Sequence, residues 1–109
     1  MPQRHELQYD LDLSMQPVEG TLSFERSSQI ISSIGDEVLL TLSAHDVAEA
    51  SVIGGVGCGL LFVKMKDDSE ILLCRFTMSV MKAAGEFCKV VNFYIQTKQY
   101  VEPDEKIMP

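Results

Sequence analysis

Apolar and polar residues alternate along much of the chain, which is the pattern of short β-strands with one buried and one solvent-facing side. The first run places Leu7, Tyr9, Leu11 and Leu13 on one face, and a turn over residues 17–20 closes it. Further strands are predicted at residues 21–24, 29–34, 38–42, 60–66 and 70–76. A turn at residues 67–69 joins the last two strands into a hairpin.

Two segments between these strands have less regular patterns. Residues 43–50 fit either one helical turn capped near Ser43 or another strand over residues 47–52. Residues 54–59 have the sequence Gly-Gly-Val-Gly-Cys-Gly, but a phosphate-binding glycine loop has to open a helix. Because these glycines lead into a strand, the segment is interpreted as a hairpin or bulge connection.

The apolar period changes to that of an α-helix after Ser79, and a helix is predicted over residues 79–95 with Ser79 as its N-cap. Its apolar stripe consists of Val80, Ala84, Phe87, Val91 and Tyr94, with Met81, Cys88 and Ile95 beside it. The far side of the helix carries Lys82, Glu86, Lys89 and Asn92. A helix with such a stripe is expected to pack on the apolar face of the sheet.

The order of elements, six to seven short strands followed by one amphipathic helix, predicts an α+β fold. The expected architecture is a small antiparallel, strongly bent sheet or partly open barrel, capped by the C-terminal helix. One domain is expected to span residues 1–109, with an ordered core over about residues 7–97. Residues 101–109 are expected to form a mobile tail, since they include two prolines.

This arrangement resembles the pleckstrin-homology-like (PH-like) superfold, a bent seven-stranded sheet closed at one corner by a C-terminal helix. The resemblance covers about residues 7–96 and rests on the order of the elements. It also rests on how the chain ends, with the strand Leu-Leu-Phe-Val-Lys-Met at 60–65, the strand Ile-Leu-Leu-Cys-Arg-Phe at 71–76 and the helix at 79–95. The run Glu-Gly-Thr-Leu-Ser-Phe at 19–24 is similar to the second-strand region of such domains. Many such helices carry a tryptophan facing the core. This chain has none, and Phe87 is expected to take its place.

Composition and charge narrow the function further. Hydrophobic residues make up 46% of the chain and charged residues 23%, which is typical of an ordered domain. The formal net charge of −7 opposes binding to phosphate backbones and anionic lipid surfaces. Three cysteines in apolar stretches and an N-terminus without an apolar leader indicate an intracellular protein, cytoplasmic or nuclear, with buried reduced thiols.

The sequence contains no set of residues with the pattern of a catalytic or metal site. The chain has only two histidines, and the adjacent pair His45 and Asp46 does not make a triad, which needs convergence from separate elements. The spacing of Cys58, Cys74 and Cys88 matches no zinc motif. The protein is therefore expected not to be an enzyme and to use no cofactor and no metal.

Two groups of residues are candidates for partner binding. Lys64 and Lys66 point to one face of their predicted strand, and Arg75 joins them if the register of the next strand allows. Three basic groups on one face would form a site for a phosphate or an acidic peptide. The alternative for this group is charge balance with the acidic residues of the adjoining turn. The second group lies on the helix, where Phe93 falls off the apolar stripe.

If Phe93 is exposed, it is an apolar anchor for a partner, with Lys82 and Lys89 beside it on the outer face of the helix. The leading hypothesis is a non-catalytic protein-interaction domain, an adaptor or scaffold, that docks a peptide or a partner subunit along this helix or an adjoining sheet edge. Another protein or peptide is therefore the expected partner, nucleic acid is not, and the oligomeric state is left open.

Two alternative functions stay open. One is a PH domain that binds phosphoinositides or a membrane surface, although residues 13–19 contain no basic residue where lipid-binding members of the superfold carry a basic motif. The other is a PH-like subunit domain of a nuclear transcription or repair assembly. Both depend on the resemblance of the fold, which does not by itself define a function.

Overall fold

Two antiparallel sheets and one C-terminal helix make up the described part of the molecule. The computed structural model describes residues 4–11, 16–25, 30–34, 38–55 and 57–97. The first sheet contains β1 (Arg4–Tyr9), β2 (Gly20–Glu25), β3 (Ile30–Ile34) and β4 (Val38–Ser43), paired in that order. The second contains β5 (Val47–Gly54), β6 (Gly59–Met65) and β7 (Glu70–Phe76), followed by α1 (Met81–Thr97). The predicted α+β class is confirmed, and the described strands form two unclosed sheets.

The first strand begins earlier than the alternation of apolar residues predicts. β1 starts at Arg4 and pairs along its length with β2, from Arg4 opposite Glu25 to Tyr9 opposite Gly20. Leu11 lies beyond the end of β1 and makes an isolated antiparallel bridge with Arg75 of β7. The predicted continuation to Leu13 lies outside the described residues. This bridge joins the two sheets at one corner of the molecule.

The junction between the sheets contains both structures that residues 43–50 allow. A 3₁₀ turn spans Ala44–Asp46, and the hydroxyl of Ser43 accepts a hydrogen bond from the backbone N–H of His45 at 3.3 Å. β5 begins immediately afterwards at Val47. Ala44 and Val47 are both buried, so the turn redirects the chain into the second sheet while keeping its apolar residues in the core.

α1 packs against β5 and β1, and its predicted apolar stripe is confirmed. Ala84, Phe87, Val91 and Tyr94 are buried, and Val80 is partly buried against the same core. The buried face is wider than the predicted stripe and also includes Cys88 and Val90. The helix contacts two sheets at once, and a helix in such a position buries more than one narrow stripe.

The start of the helix differs from the prediction that Ser79 is its N-cap. A 3₁₀ turn spans Met78–Val80, Thr77 holds its N-cap position, and Ser79 lies inside the turn. The carboxylate of Asp10 accepts hydrogen bonds from the backbone N–H of Thr77 at 2.7 Å and from its hydroxyl at 2.5 Å. Asp10 thus holds Thr77, the residue at the N-cap position, from the end of β1, and the Thr77 side chain itself makes no capping hydrogen bond to the turn.

No helix among the described residues is long and apolar enough to cross a membrane. The predicted mobile tail at residues 101–109 lies outside the described residues. The extent of the domain therefore stays a prediction.

Candidate protein-interaction surfaces

One side chain of α1, that of Asn92, forms hydrogen bonds with the edge of the second sheet. β5 is an edge strand of that sheet, and its other side pairs with β6. The carboxamide oxygen of Asn92 accepts a hydrogen bond from the backbone N–H of Ala50 at 2.8 Å, and its nitrogen donates to the carbonyl of Ala50 at 2.9 Å. The sequence pattern assigned Asn92 to the solvent-facing side of the helix, whereas it is half-buried against β5. It occupies the place of a neighbouring strand at Ala50.

The face of α1 directed at β5 follows from the helical period of 3.6 residues. Met81, Gly85, Cys88 and Asn92 recur at spacings of four, three and four, so they lie on one line along the helix. Asn92 marks the Ala50 end of this line. At the other end, the methyl groups of Met81 and Met78 lie 3.3 and 3.5 Å from the position that a Cβ atom would occupy at Gly54. α1 therefore runs beside β5 from Gly54 to Ala50.

The edge of β5 offers backbone groups toward this face of the helix. In an antiparallel pair, successive residues turn their N–H and C=O groups alternately toward and away from the partner strand. Ala50 turns its groups toward Asn92 and away from β6, so Val52 and Gly54, at steps of two, do the same. No hydrogen bond from another described residue reaches the outward groups of Val52 or Gly54.

The position of Gly85 on the helix is open. Among the described atoms outside the helix backbone, none lies within 4 Å of the position that a Cβ atom would take there. Glycine in a helix interior costs roughly 1 kcal/mol relative to alanine, and no described neighbour requires it at this position. We take Val52 and Gly54 on the strand edge, with Met78, Met81 and Gly85 on the helix side, as one candidate docking surface and name it the β5–α1 groove.

A second surface lies on the outer face of the second sheet. The register places Ile53 opposite Leu60 and Phe62 opposite Leu72, and these four side chains share the face directed away from the core. They line an open groove of about 360 Å³ together with Glu70. Ile53 is 51% exposed, and the other three are half-buried. We name these four residues the outer-face patch.

The three basic residues predicted to converge on the sheet do not form one site. Lys64 lies opposite Glu70, whereas Arg75 lies opposite Leu60, four residues further along β6 and roughly 13 Å away. Lys64 and Lys66 line a common cleft of about 410 Å³, which also contains Glu49 and Asp68. The ammonium group of Lys64 is 3.8 Å from the Asp68 carboxylate. Lysines and carboxylates are balanced here, which matches the charge-balance alternative.

The helix residues predicted to bind a partner are spread around the exposed side of α1. Lys82 and Lys89 are exposed, and Phe93 is half-buried, not fully exposed. One residue along a helix corresponds to a rotation of about 100°, so Phe93 is turned by about 100° from Asn92, and Lys82 and Lys89 lie on the side of Gly85. Phe93 therefore lies beside the β5–α1 groove and not on the line of residues that borders it.

Sequence reasoning did not select the residues of the two apolar surfaces. Gly85 was the one available signal, since glycine is unfavourable within a helix. The four residues of the outer-face patch look like ordinary strand residues in the sequence, and only the pairing register shows that they share one exposed face.

The described histidine, cysteine and acidic side chains are dispersed over the fold. Among the described residues, no three histidine, cysteine, aspartate or glutamate side chains are grouped so that they could hold a metal ion. The three cysteines are free and buried. Burial raises the pKa of both Cys74 and Cys88 to about 12, and the neighbouring Cys88 adds to the effect on Cys74. Such thiols are poor nucleophiles at neutral pH, because the thiolate is the reactive form.

Comparison of the chain with family models, with curated proteins and with solved structures gives no match.

Proposed function

We propose that this domain is a non-catalytic protein-interaction module of PH-like architecture, which docks an extended segment of a partner protein in the β5–α1 groove. The observation that carries the proposal is the edge of β5, where the outward backbone groups of Val52 and Gly54 receive no hydrogen bond from a described residue, together with the open position at Gly85 on the helix. An adaptor or scaffold role corresponds to this kind of docking.

The order and pairing of the elements support the PH-like arrangement. Four antiparallel strands are followed by three, and the C-terminal helix packs against β5 and β1, one strand of each sheet. The bridge between Leu11 and Arg75 connects β1 and β7 at one corner. These features resemble a bent sheet closed by a terminal helix.

The groove has the components that strand addition requires. Val52 and Gly54 each present one donor and one acceptor, which a partner in extended conformation would pair. Asn92 already occupies Ala50, so the added strand would end at that point. The flexible side chains of Met78 and Met81 border the groove, and Met78 is 48% exposed. Methionine adapts its shape to different apolar side chains, which suits a docking wall.

The proposal is tested by filling the groove without disturbing the fold. Gly85→Leu adds a side chain where no neighbour interferes and where leucine favours the helix, so the variant should fold with undiminished stability. Peptides selected from a displayed library of short random sequences with the wild-type domain are the probes. Their affinity, measured by fluorescence anisotropy, should fall about tenfold or more for Gly85→Leu.

Two further variants act as controls. Ala83→Leu introduces the same side chain at an exposed position on α1, two residues and about 200° of helical rotation before Gly85, and should leave peptide affinity unchanged. Phe93→Ala tests whether the peptides bind to the flank of α1 that contains Phe93 instead of the groove. Equal affinity of wild type and Gly85→Leu, or loss of affinity in Phe93→Ala alone in a folded variant, would contradict docking in the groove.

A further inference from the structure

The outer-face patch is a contact surface of a different kind from the groove. Its four apolar side chains occupy adjacent, paired positions on β5, β6 and β7. Exposed apolar groups that are contiguous mark interaction sites more often than scattered ones do. Within a sheet face the backbone groups are directed at neighbouring strands, so this surface offers only side chains to a partner.

This property restricts the secondary structure of the partner. A segment that lies on a sheet face cannot pair its backbone with the sheet, and therefore has to satisfy its own backbone hydrogen bonds. An α-helix does so internally, and its diameter of about 10 Å matches the width of three strands spaced about 4.8 Å apart. An amphipathic helix would place its apolar stripe in the groove of about 360 Å³.

The size of the patch argues against a second copy of this chain as the partner. Three strands and about five residues of length give an area of roughly 200–300 Å². A stable interface buries about 800 Å² on each partner, so the patch is too small to hold two sheets together. Two copies, each with a net charge of −7, also repel each other.

Charge at the border of the patch indicates the polar face of the helix. At one end, Glu49 and Glu70 flank Lys64 on the same outer face, and Lys64 forms an ion pair with Asp68. With Lys66 in the same cleft, three carboxylates thus accompany two ammonium groups at this end, Arg75 lies opposite Leu60 at the other end, and the whole chain is acidic. Basic side chains on a partner helix would be attracted to this end both locally and at long range.

We propose that the outer-face patch binds a basic amphipathic helix of a partner protein. Phe62, at the centre of β6, is the expected anchor, with Ile53 and Leu72 on either side and Glu49 and Glu70 contacting basic residues of the helix. This surface is distinct from the β5–α1 groove, so one domain can hold an extended segment and a helix at the same time.

The test uses two displayed libraries of helical peptides. Both have the same randomised apolar stripe, and they differ only in the polar face, which carries lysine and arginine in one library and aspartate and glutamate in the other. The wild-type domain should enrich binders from the basic library alone. The affinity of these binders should fall about tenfold or more for Phe62→Thr and for Ile53→Thr, since interface energy is concentrated in few anchors.

Val18→Thr is the matched control, because Val18 is 46% exposed and lies outside the patch. Its affinity for the selected helices should equal that of the wild type, and so should that of Gly85→Leu. Enrichment from the acidic library, from both libraries or from neither would overturn the proposal. Unchanged helix affinity in Ile53→Thr would overturn it as well. So would sedimentation experiments in which the wild-type domain is a dimer and the Ile53→Thr variant is a monomer. Loss of helix binding in Gly85→Leu would place these peptides in the groove instead.

Discussion

Asn92 of α1 holds both backbone groups of Ala50 in β5, at 2.8 and 2.9 Å, although the two residues are 42 positions apart in the sequence. A carboxamide has the same donor and acceptor as a peptide group, so this side chain takes the place of a paired strand at one position of an exposed edge. The contact connects the helix to the sheet and defines one end of the β5–α1 groove.

Replacing Asn92 by alanine should destabilise the domain by about 1–3 kcal/mol, because it leaves the half-buried N–H and C=O of Ala50 without partners. Urea denaturation followed by circular dichroism measures the change. Gln96→Ala, at an exposed position one turn further along α1, should change the free energy of unfolding by less than about 0.5 kcal/mol. Similar losses in the two variants would show that the contact with Ala50 adds no stability.

Phe87→Ala should cost about 3–5 kcal/mol of stability, since the ring is fully buried in the hydrophobic core and its loss leaves a cavity. The ring lies 5.8 Å from that of His5 on β1, so the variant also weakens the contact of α1 with the first sheet. Domains of this size have a total stability of roughly 5–15 kcal/mol, so a large fall in the denaturation midpoint is expected. Lys82→Ala, on the exposed side of α1, is the control, and a midpoint equal to that of wild-type protein in Phe87→Ala would contradict the observed packing.

The link between Asp10 and Thr77 should make stability depend on pH in the acid range. The hydrogen bonds from the Thr77 hydroxyl and N–H hold the pKa of the Asp10 carboxyl below its ordinary value of 3.8. The folded state thus favours the ionised form of Asp10. The contribution of this carboxylate to the free energy of unfolding is fully present above the ordinary pKa, and it is lost as pH falls through the lowered pKa of the folded state.

Asp10→Asn removes this contribution, so the variant should be less stable than wild type by about 1 kcal/mol at pH 7. The difference in unfolding free energy should shrink as pH falls below about 4, when the wild-type carboxyl also becomes neutral. Paired urea titrations at pH 7 and at acid pH measure it. A difference that stays constant or grows toward acid pH would show that ionised Asp10 does not stabilise the start of the helix.

Cys74 and Cys88 should resist thiol reagents in the folded protein, because burial raises the pKa of both thiols to about 12 and keeps them protonated at pH 8. In denaturant, titration with a disulfide reagent should find three reactive thiols per chain, since all three cysteines are free. Reaction of Cys74 or Cys88 in the native state at the rate of a small free thiol would contradict their burial. The variant Cys74→Ala should give two thiols in denaturant and serves as the reference.

Local periodicity was sufficient to predict most of the secondary structure. The alternation in residues 60–66 and 70–76 and the helical stripe through Ala84, Phe87 and Val91 correspond to β6, β7 and α1, because a residue's burial is repeated every two or 3.6 positions along one element. The same pattern did not locate the cap of the helix. Thr77 obtains its acceptor from Asp10, 67 residues earlier, and no local signal contains that contact.

The sequence by itself determined which segments form strands and a helix and which of their faces are apolar, since these properties depend on neighbours within a few residues. The tertiary structure alone decided the candidate sites. Strand register separates Arg75 from Lys64 and brings Phe62 beside Leu72, and the placement of α1 turns Asn92 toward β5. Register and helix placement are set by packing between distant segments, so the chemistry of these surfaces appears only once the chain is folded.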